Sequence, residues 1–76
     1  MPKKRSNLGL IKEFVVKCRL EQRTGDVNYP DLHTYHTYVI AAKDRFGAIE
    51  EATSRAMQTA SYPEAVVKIV YITGGI

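Results

Sequence analysis

The sequence predicts an α+β domain of β-β-α-β order, a three-stranded sheet with one helix packed on one face. Three observations carry this expectation. One stretch alternates apolar and polar residues with period two, and two others are rich in β-branched and aromatic residues. Between the second and third lies a segment opened by an Asp, with apolar residues at helical spacing. Residues 1–8 read as a flexible basic tail, and residues 9–76 as a single small domain.

The first strand is expected over residues 10–22. Leu10, Phe14, Val16, Cys18 and Leu20 share one parity, while Glu13, Lys17, Arg19, Glu21 and Arg23 share the other, with Lys12 interrupting the apolar side near its start. Residues 24–31, Thr-Gly-Asp-Val-Asn-Tyr-Pro-Asp, are dense in turn formers and predict a loop. Residues 32–43 supply Thr, Tyr, Val and Ile for a second strand, antiparallel to the first. Asp44 is placed to cap a helix whose apolar positions are Phe46, Ala48, Ile49, Ala52, Ala56, Met57 and Ala60. Glu50, Glu51, Ser54, Arg55 and Gln58 form its wet face, and the acidic pair in the early turns suits the helix dipole. Ser61-Tyr62-Pro63 ends the helix, because Pro disfavours helical geometry in the residue before it. Residues 65–73 form the third strand, stopped by Gly74 and Gly75. A helix between the second and third strands permits a right-handed crossover and makes those strands parallel, leaving room for the first between them.

Parity then separates two faces. Phe14, Val16, Cys18, Leu20, Tyr38, Ile40, Ala42, Val67, Ile69 and Tyr71 are expected under the helix. The opposite face carries Ile11, Val15, Tyr35, Val39, Val66, Val70 and Ile72, diluted by Glu13, Lys17, Thr37 and Lys68. One helix cannot cover both sides of a sheet. A contiguous apolar patch left in water marks an interaction surface, so those seven residues are the expected partner-binding set, for a target protein or a second copy.

The 76 residues include 11 Lys or Arg and 8 Asp or Glu, giving a net charge of +3. Lys3, Lys4 and Arg5 lie in the tail, and without them the remaining eight cations balance the eight acids. The domain is therefore neutral and the surplus is terminal. A chain this small buries only about 60% of its unfolded surface, which leaves little room for a deep enzyme cleft. One cysteine, no apolar run of membrane-spanning length and no export signal point to a cytoplasmic protein without membrane attachment.

Candidate chemistry is sparse. His33 and His36 are three apart on a strand and point to opposite faces, so they are not expected to share a metal. Cys18 falls on the core parity, where a thiol is inert. Glu50 and Glu51 diverge by about 100° on a helix and form no acid–base pair. No phosphate loop, dinucleotide glycine pattern or hydrolase signature is present, so neither catalysis nor a cofactor is expected. The order of elements, with alanines at Ala48 and Ala52 after a capping Asp, resembles that of small phage-encoded and ribosomal β-β-α-β proteins. That resemblance fits a phage-type accessory protein. The expected function is a non-enzymatic binding protein, a regulator or inhibitor of a larger partner and a homodimer. The alternative is a small basic protein bound to RNA or DNA through Lys3, Lys4, Arg5, Lys17, Arg19, Arg23 and Tyr35.

Overall fold

The computed structural model describes residues 11–75. Strand β1 (Lys12–Arg23) is followed by β2 (Leu32–Ala42), helix α1 (Arg45–Gln58) and β3 (Glu64–Gly74). The sheet order is β2-β1-β3, with β1 antiparallel to both neighbours. Strands β2 and β3 consequently run parallel to each other without touching, as a helical crossover between them requires. The expected α+β architecture is the one observed. The basic tail lies outside the described residues.

Alternation in β1 sets the layers. Phe14, Val16, Cys18 and Leu20 are buried, and with Ile40 from β2 they form the sheet side of the core. The helix meets them through Ala48, Ala52 and Ala56, all fully buried and spaced four residues apart along one stripe. Three methyl groups in line let the helix axis lie close to the strands. Phe46 and Met57, expected among the core positions of the helix, are instead exposed, Phe46 at 80%. At about 100° per residue Phe46 stands roughly 200° round the helix from Ala48, on the far side from the sheet.

Asp44 caps the helix as expected. Its backbone is extended, at φ −152° and ψ 178°, and its Oδ1 accepts from Gly47 N at 2.8 Å. The first turn holds no acidic residue. Glu50 and Glu51 therefore sit one turn too late to meet the exposed amides, and Glu51 pairs with Arg55 at 2.9 Å instead. At the other end Thr59 N donates to Ala56 O and Ala60 N to Met57 O, each at 3.0 Å, so the last turn tightens and Ala60 falls outside the helix. Gln22 then anchors the link to β3. Only 5% exposed, its Oε1 accepts from Ser61 N at 2.7 Å and Tyr62 N at 3.0 Å. The two backbone donors satisfy the amide oxygen and offset the cost of burying Gln22.

The third strand departs from simple alternation. Lys17 faces Tyr71 and Cys18 faces Ile69, so Val70 is an extra residue on β3, a β-bulge. The bulge reverses the parity of everything after it. Ile72, expected on the open face, packs against the core opposite Val16, and Tyr71, expected in the core, is exposed on the open face opposite Lys17. Past the bulge the strand closes on the start of β1. Gly75 N donates to Glu13 O at 3.0 Å, with Gly74 at φ +98°, a conformation glycine tolerates.

Candidate protein-binding face

The side of the sheet turned away from α1 takes its geometry from the β1 register. Val15 lies between Val39 and Thr73, Lys17 between Thr37 and Tyr71, Arg19 between Tyr35 and Lys68, and Glu21 between His33 and Val66. Among the described residues no element covers this side. Two halves with different chemistry result.

The first half is apolar. Val15 and Val39 lie side by side on β1 and β2, with Val39 58% exposed, and Val70 and Tyr71 stand at the bulge on β3. Tyr35, 55% exposed, is separated from Val39 by Thr37 and lies opposite Arg19, and Lys17 Nζ lies 5.0 Å from its ring centroid. Such a cation–π contact sets the lysine ammonium against the face of the ring. β-Branched residues directly opposite each other, as Val15 and Val39 are, stabilise the pleated sheet whether or not a partner binds. Their exposure to water is what a partner would relieve.

The second half is a charged band. Arg19 Nε stands 2.9 Å from Glu21 Oε2, and Lys68 Nζ stands 3.5 Å from Glu21 Oε1. A guanidinium nitrogen of Arg19 also lies 2.9 Å from His33 Nδ1, and Arg23 reaches Glu64 at 3.9 Å. Exposed ion pairs contribute only about 0–1 kcal/mol each, so this band sets charge more than stability. Its three cations, Arg19, Arg23 and Lys68, share two carboxylates, with Glu21 serving both Arg19 and Lys68.

All seven expected partner-binding residues lie among the described residues, and six of them are on the open face or beside it. Val15, Tyr35, Val39, Val66 and Val70 lie on the open face, and Ile11 is exposed immediately before β1. Val66 is opposite Glu21, apart from the apolar group and inside the charged band. Ile72 belongs to the helix side, for the reason given by the bulge. Tyr71 replaces it on the open face. No sequence signal marked that exchange, since the residues around Val70 are apolar on both parities.

Of the alternative nucleic-acid set, Lys17, Arg19 and Tyr35 share the open face and Arg23 ends the strand beside them. Lys3, Lys4 and Arg5 lie outside the described residues. His33 faces the open side opposite Glu21, whereas His36 is opposite Cys18 and stacks on Tyr38 with centroids 6.1 Å apart. The two imidazoles are thus on opposite faces. Among the described residues no three His, Cys, Asp or Glu side chains gather into a metal-binding group. Cys18 is fully buried, and burial pushes its thiol above the ordinary value, which disfavours the nucleophilic thiolate. No helix among the described residues is long and apolar enough to cross a membrane. Comparison with protein-family models, curated proteins and solved structures gives no match to the chain.

Proposed function

We propose that this chain is a non-enzymatic binding protein that uses the open face of its sheet, or an edge beside it, to bind and modulate a larger protein partner. The observation that carries the reading is the set of Val15, Val39, Val70 and Tyr71, with Tyr35 beyond Thr37, on a sheet face that no described element covers. Rigid strands hold these side chains, so little ordering entropy is lost on docking. Tyr at an interface adds apolar area together with a hydroxyl at low conformational cost. The charged band beside them has the chemistry of a polar rim. A buried free cysteine with no partner thiol supports a reducing compartment such as the cytoplasm.

Nucleic-acid binding is the second reading, and the contact of Lys17 with Tyr35 beside Arg19 favours it. It ranks lower because Glu21 engages both Arg19 and Lys68, which weakens the attraction for phosphates. The paired variant Val39→Thr, Val70→Thr separates the two. Both side chains are half-exposed and Thr suits a strand, so folding is expected to change by no more than about 0.5 kcal/mol for each. In affinity capture the variant is expected to lose protein partners that the unsubstituted chain retains after nuclease treatment. Partners lost on nuclease treatment, or held equally by both chains, contradict the open-face reading.

A further inference from the structure

We propose that β2 is the edge at which a second copy of this chain pairs, antiparallel about a two-fold axis at Thr37, to make a six-stranded sheet. This rests on the reading of the chain as a binding protein and names the occupant of one edge. Both outer strands present unpaired backbone groups, and edges are normally protected by charge, proline or a bulge. Strand β3 has such protection in Glu64, Lys68 and the bulge at Val70. Strand β2 has none of it. Over the 11 residues of Leu32–Ala42 it carries no Asp, Glu, Lys, Arg or Pro, and its register with β1 is unbroken.

The strand is also complementary to itself. An antiparallel pair keeps its faces aligned only when the axis passes through a residue position, and the position that pairs the whole of Leu32–Ala42 is Thr37. Thr37 then meets Thr37 of the second copy. Tyr35 meets Val39 of the second copy twice, by symmetry, on the open face. Threonine pairs and aromatic with β-branched pairs are favourable cross-strand neighbours. On the helix side His36 meets Tyr38 of the second copy. Moving the axis to His36 sets that histidine against itself and leaves the end of the strand unpaired. No formal charges are brought into direct opposition at Thr37, and the two exposed groups around Val39 and Tyr35 become one continuous surface.

Sedimentation equilibrium of the full chain, with Thr37→Glu, Thr37→Lys and an equimolar mixture of the two variants, tests this pairing. Thr37 is exposed and lies opposite Lys17 within its own chain. The unsubstituted chain is expected to dimerise, and each variant to dimerise about tenfold more weakly or worse, because like charges meet at the axis. The mixture is expected to recover dimer, which also shows that both variants fold. A chain that stays monomeric to about 1 mM overturns the pairing, since weaker association has no standing as a specific dimer. Two variants that dimerise as the unsubstituted chain does overturn it equally. A monomer whose protein capture still depends on Val70 defeats the pairing and leaves the open-face reading intact. A dimer whose capture ignores Val70 does the reverse.

Discussion

Phe14→Ala is expected to lower the stability of the fold by about 3–5 kcal/mol, the usual range for removing a buried aromatic ring. Phe14 is 2% exposed, and it belongs to the same buried cluster as Ile40, Ala48 and Ala52. Its ring also underlies the closing turn, where a Cβ on Gly75 would come within 2.4 Å of the ring edge. One side chain thus supports the helix contact and the end of β3. At roughly 0.05–0.15 kcal/mol per residue a chain of this length has about 4–11 kcal/mol in all. The variant is therefore expected to be largely unfolded or to melt far below the unsubstituted chain. Urea unfolding followed by circular dichroism measures the loss, and a change below about 1 kcal/mol would show that Phe14 does not hold the layers together.

The second large effect concerns the helix. Ala52→Leu is expected to destabilise by about 1–3 kcal/mol or more, because three extra carbons must fit where Ala52 has no exposed surface. Leu and Ala are both good helix formers, so the loss does not arise from helix propensity. Ser54→Leu supplies the comparison, since Ser54 is exposed on the same helix and its replacement is expected to change stability by less than about 0.5 kcal/mol. Equal effects at the two positions would contradict close packing along the alanine stripe. A loss at Ala52 alone agrees with it.

These two residues also mark how far the fold was legible. The parity of Phe14 identified the buried side of β1 directly, because charged residues occupy the alternate positions almost without exception. Asp44 gave the helix start by a side-chain contact that spacing alone predicts. The helix core was harder to read, since Phe46, Ile49 and Met57 are larger and more apolar than the alanines beside them. A narrow sheet meets only one stripe, and in this chain the stripe is made of the small residues. Size favoured the wrong positions.

Strand β3 shows the same limit at the candidate site. Lys68 is the one charged residue between Val66 and Thr73, so nothing downstream of it marks which parity faces water. A bulge at Val70 therefore exchanges Tyr71 and Ile72 without leaving a trace in the pattern. Gln22 did leave one, being polar on the parity of Phe14, Val16, Cys18 and Leu20. Its meaning depends on the amides of Ser61 and Tyr62, distant in sequence, and pattern reading does not reach that far. The open face itself followed from counting elements, because one helix leaves one side of a sheet bare.

A photo-reactive benzoylphenylalanine placed at Val39, compared with one at Ser54, tests in nuclease-treated lysate whether the open face is the binding surface. Val39 is exposed on the open face beside Val15, on the outer strand β2, and Ser54 lies on the exposed side of α1. Covalent adducts to protein are expected from Val39, and none of comparable yield from Ser54. Adducts from Ser54 alone would contradict the open-face reading and move the binding surface to the helix.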